Sequence, residues 1–148
     1  MTAPAHRTPP RTLPKAFLVA LAVLVSGCGA LAGPSEVEVV TDLISHAQTT
    51  QSNVTSAVST ASRSGQVMSA EVRAFVEAAS AGLTAFNETM DDYSGDPAIA
   101  QHANGYAQSV NLVLDLIDEG NVDVASEVSV SQVAPKFETL TSGLRSRQ

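Results

Sequence analysis

Residues 35–65, SEVEVVTDLISHAQTTQSNVTSAVSTASRSG, decide the fold class. Val37, Val40, Ile44, Ala47, Gln51, Val54, Val58 and Ala61 recur in steps of three and four, which places all eight on one stripe of an α-helix. Ser35 is a good N-cap, and Glu36 and Glu38 stand in the first turn, where the helix dipole favours negative charge. The spacing predicts a helix to about Ser62 with Gly65 as its stop, roughly 28 residues and about 40 Å long. Its middle, Gln48 to Asn53, has weak helix propensity and sets the polar Gln51 on the seam. That stretch needs packing to hold it.

Downstream the same period returns twice. A second helix is expected from near Ser69, with Glu71 in its first turn. Val72, Val76, Ala79, Leu83, Phe86 and Met90 form its stripe, Phe75 lies beside them, and Asp91 to Gly95 break it. Asp96-Pro97 is an N-cap followed by proline at the first helical position, a strong start signal. Ile99, Ala103, Tyr106, Val110, Val113 and Ile117 make the third stripe, widened by Leu114, and Gly120-Asn121 end it.

The tail reads two ways. Val122, Val124, Val128 and Val130 have the even spacing of a strand, whereas Ala125 and Val133 permit a helix. Pro135 is expected to interrupt either form, after which Phe137, Leu140 and Leu144 make a short final helix. Helix is favoured throughout, because a single strand has no partner here. The fold class expected is all-α: a small up-down three-helix bundle over residues 35–148 with a short C-terminal fourth segment, helical or extended.

Upstream the chain changes character. Residues 1–15 carry Arg7, Arg11 and Lys15 and no acid, and are followed by the apolar run Ala16 to Val25. Ten residues span only about 15 Å as helix, half of a roughly 30 Å hydrocarbon core. Basic flank, short apolar centre and small exit residues are the pattern of a secretory signal. The exit, Val25-Ser26-Gly27-Cys28, resembles the bacterial lipobox. That resemblance implies a diacylglyceryl group on the Cys28 thiol and cleavage between Gly27 and Cys28. A third, palmitate-type chain on the new amino group would complete the anchor. Residues 1–27 are then the signal peptide, and residues 28–34 the lipidated terminus and tether. Each buried CH₂ contributes about 0.8 kcal/mol, and two chains suffice for stable attachment. Cys28 is the only cysteine, so no disulfide competes for it.

All fifteen acidic residues lie beyond Cys28, against five basic ones (Arg63, Arg73, Lys136, Arg145 and Arg147), a net charge of −10. Nucleic acid and anionic lipid headgroups repel such a chain, which excludes nucleic-acid binding and leaves basic partners or cations open. Chemistry-bearing motifs are missing from the sequence: no Gly-x-Ser-x-Gly elbow, no Ser-x-x-Lys pair, no phosphate loop. Asp91, Asp92 and Asp96 surround Ser94 and Gly95, but Pro97 and Ala98 follow where a calcium loop needs oxygen ligands, so a capped helix connection is the reading. His46 and His102 have no second histidine at ligand spacing, and His6 lies in the signal segment, so no metal or cofactor is expected. Asn53 and Asn87 begin glycosylation sequons to which no role attaches in a bacterial lipoprotein. Asp115, Asp118 and Glu119 crowd the C-terminal end of the third helix, where the dipole disfavours them, and read as a solvated face first and as the candidate contact patch for a basic partner second.

The expected function is that of a non-enzymatic, lipid-anchored envelope protein whose acidic bundle meets another protein near the membrane. Six tether residues reach at most about 20 Å. A structural alternative rests on the first helix, which loosely resembles the heptads of the murein lipoprotein family. The breaks near Gly65 and Gly95 depart from that family, as does an ending in Arg147-Gln148 where the family has a lysine. A small-ligand carrier with a cavity between helices is the third reading. Gly29, standing where aspartate would retain a lipoprotein at the inner membrane of enteric bacteria, implies the outer membrane if the envelope is Gram-negative, and otherwise the cell membrane.

Overall fold

The computed structural model describes residues 33–66 and 69–148; the lipobox-like run ending at Cys28 lies outside them. Residues 34–148 pack as one unit. Helix α1 is Glu36–Ser64, α2 Ala70–Asp91, α3 Pro97–Asp118, α4 Val122–Val128 and α5 Ala134–Arg145. A π-helical turn, Ser129–Val133, joins α4 to α5, making them one continuous rod. Among the described residues the result is an all-α bundle of four rods running up, down, up and down.

Local chemistry starts each rod. Ser35 and Glu38 form a reciprocal capping box: Glu38 N–H donates to Ser35 Oγ at 3.3 Å, and Ser35 N–H donates to Glu38 Oε2 at 2.8 Å. Ser69 Oγ accepts from Val72 N–H, and Asp96 Oδ1 from Ala98 N–H, with Pro97 at the first helical position as expected. Gly65 ends α1 at φ 61°, a left-handed conformation costly for residues with a Cβ.

The core follows the predicted stripes with two corrections on α1. Val37 stands 52% exposed, while Leu43, outside the predicted stripe, is fully buried. Gln51 is only half-buried, and Thr50 takes the covered position beside it. The reason is that α1 touches every other rod, so its buried surface is broader than one seam and is rotated toward Leu43 and Thr50. The face that a murein-lipoprotein-like assembly would bury between copies is here covered within one chain.

Tyr106 sits at the centre. Its phenol O–H donates to the Ala47 carbonyl at 3.1 Å, and its ring meets Phe86 edge-on (centroids 5.7 Å apart) and Phe137 at 6.0 Å. One side chain thus ties α1, α2, α3 and α5 together. Burial pushes its phenol well above the ordinary tyrosine range.

The tail is helical, and the even valine spacing does not mark a strand: Val124 and Val130 are exposed, while Ala125, Val128 and Val133 are buried. Pro135 does not interrupt the rod either. In the π turn Ala134 N–H reaches the Ser129 carbonyl, five residues back instead of four. This widened turn lets a proline enter the first turn of α5, where its missing N–H and bulky ring are tolerated.

Candidate functional site

Sequence reasoning singled out Cys28, Gly27, and the cluster Asp115, Asp118 and Glu119. Cys28 and Gly27 fall outside the described residues. The acidic cluster occupies the last turn of α3 and its C-cap, and all three side chains are exposed. Glu119 Oε2 accepts from Asn121 Nδ2 at 3.2 Å, and no basic residue pairs with any of the three among the described residues. Because the rods alternate, this cluster shares the bundle end of Gly65, opposite the end where Ser35 opens α1.

Asp91, Asp92 and Asp96 are not gathered into a site. Asp96 caps α3, and its other oxygen pairs with Arg147 at 2.6 Å, while Gln148 Nε2 donates to Thr41 Oγ1. These contacts fasten the C-terminal residues to the beginnings of α1 and α3. His46 is half-buried on α1 and His102 exposed on α3. Among the described residues no three His, Cys, Asp or Glu side chains converge as a metal site would need.

A feature that sequence reasoning missed lies between α3 and α5. Gln101, His102, Gly105, Pro135, Lys136 and Thr139 line a groove of about 420 Å³. Lys136, the only lysine in the described residues, is half-buried there, and its Nζ donates to Ser109 Oγ at 2.6 Å. Ser109 is 3% exposed, and its hydroxyl in turn donates to the Gly105 carbonyl at 3.0 Å. The pair has the composition of a nucleophile and its base but not the geometry. Ser109 is covered, its proton is committed to a helix carbonyl, and the backbone N–H groups around it are consumed by α3. What the contact does is hold an ammonium in place. The only sequence signal for this groove was Pro135 inside an otherwise helical pattern.

No family model matches the chain, and neither does any characterised protein or solved structure. The functional reading therefore rests on the chain's own residues.

Proposed function

We propose that the chain is a bacterial lipoprotein: a non-enzymatic envelope protein held to a membrane through acylated Cys28, presenting its acidic bundle to another protein. The observation that carries this reading is the run Val25-Ser26-Gly27-Cys28, directly after a basic flank and a ten-residue apolar segment, with no other cysteine in the chain. Two features of the bundle support it. No helix among the described residues is long and apolar enough to cross a membrane. The exposed carboxylates of Asp115, Asp118 and Glu119 stand at the bundle end remote from Ser35, the residue nearest the tether. A partner with a basic face would meet them without displacing the anchor.

Mass spectrometry of the native amino terminus tests the reading. The expected product begins at Cys28 and carries diacylglyceryl, and Cys28→Ser shifts the protein from the detergent-requiring membrane fraction to the soluble one. A free thiol, another first residue, or unchanged membrane recovery of the variant overturns it.

A further inference from the structure

We propose that the groove between α3 and α5 binds a small organic oxyanion, a carboxylate or a phosphate ester, with the Lys136 ammonium as its anchor. The first ground is charge. In a segment with three acidic residues for each basic one, the half-buried lysine has no carboxylate partner; it rests on a neutral hydroxyl. An ammonium has three donors, and Ser109 takes one, which leaves two for an acceptor from outside the chain. The second ground is preorganisation. Ser109 is buried and fixed to Gly105, so the lysine head is positioned before a ligand arrives, and less side-chain entropy is lost on binding.

Shape gives the third ground. Gly105 offers no side chain, and a Cβ built there would meet only the Lys136 stem at 4.0 Å. Pro135, directly after the π turn, stands in the facing rod and lines the same groove. The resulting volume, about 420 Å³, falls in the range of small-molecule sites, and exceeds what a bare inorganic ion would fill. Gln101, His102 and Thr139 add an amide, an imidazole and a hydroxyl to the lining, none of them negatively charged at neutral pH. The surrounding acidity selects against polyanions, so the fitting ligand carries one or two charges.

The test is an NMR titration of the full chain at low ionic strength. Three probes are used: sodium succinate, glycerol phosphate, and a short-chain phosphatidylglycerol below its micelle concentration. The first two distinguish carboxylate from phosphate, and the third reports a lipid headgroup as the source. Expected is a saturable millimolar response of the Gln101 and Thr139 amides and the Lys136 side chain to at least one probe. Lys136→Met abolishes it, Lys136→Arg retains it, and Ser109→Ala weakens it by about threefold or more as the ammonium loses its support. If Lys136→Met fails to give a dispersed spectrum, Lys136→Gln takes its place. Cys28→Ser must bind as well as the parent chain, because the groove does not depend on the anchor. No saturable response to any probe, or an equal response in the charge-removed variant, overturns the proposal.

Discussion

Gly82 on α2 and Gly105 on α3 are both interior helical glycines turned toward a neighbouring rod, yet the two interfaces use them in opposite ways. At Gly82 the neighbour has moved in: a Cβ there would lie 2.6 Å from Thr50 Oγ1 and 3.6 Å from the Thr50 Cα. At Gly105 the neighbour stays away, with only the Lys136 Cδ 4.0 Å distant. Backbone approach at the first site lets α1 and α2 share the largest helix–helix contact of the bundle despite the weak helix propensity of Gln48 to Asn53. Separation at the second leaves a groove floored by a lysine. An interior glycine costs helix stability at either place; one site recovers that cost in packing and the other does not.

The largest expected effect breaks the close interface. Gly82→Leu must push α1 and α2 apart and should lower unfolding free energy by about 3 kcal/mol in urea denaturation. Gly82→Ala should lower it by about 1 kcal/mol, because overpacking against Thr50 outweighs the gain in helix propensity. The Thr50 hydroxyl is buried without a hydrogen-bond partner, so Thr50→Ala removes both the clash and an unsatisfied donor. The double variant Thr50→Ala/Gly82→Ala should therefore recover at least parental stability. A double variant no better than Gly82→Ala would show that backbone approach, not the hydroxyl, sets the limit.

Gly105→Ala sharpens the contrast from the other side. With space for the methyl group and an ordinary helical backbone, it should raise stability by about 0.5–1 kcal/mol in the same measurement. A loss would mean that α3 and α5 approach more closely than their contacts indicate.

The smallest effect concerns the start of α1. The Ser35 backbone N–H and hydroxyl, both donating to Glu38, hold its carboxyl below the ordinary glutamate value. With a folded pKa below the unfolded one, the contribution is complete above the unfolded value. It fades as pH falls through the folded one. Amide exchange in the first turn of α1 should accelerate across that acidic window, and Glu38→Gln should flatten the pH dependence while leaving exchange at Val110, deep in α3, unchanged.

Much of the bundle was legible from local signals. Ser35, Ser69, Asp96-Pro97 and Gly65 mark helix ends through chemistry confined to one turn, and the three-four spacing of Ile99 to Ile117 reports one buried face of a regular helix. The misses have a shared cause. The three-four spacing puts Val37 and Gln51 on the seam, because a stripe fixes a helix's period but not the rotation its neighbours impose. Pro135 predicts a break because its missing N–H forbids a regular helix, whereas a widened turn accommodates it. The groove was invisible because Lys136 on α5 meets Gly105 and Ser109 on α3 across two separate rods.

By itself the sequence determined an all-α chain of capped amphipathic helices, an acidic surface beyond Cys28, and a lipobox-like run before it, since these depend on residue type and near-neighbour spacing alone. Tertiary structure decided which face of α1 turns inward, how Pro135 is carried inside a continuous rod, and where the lone lysine of the bundle comes to rest. Those outcomes arise from contacts between residues such as Ser109 and Lys136, far apart along the chain, whose mutual distance no local periodicity encodes.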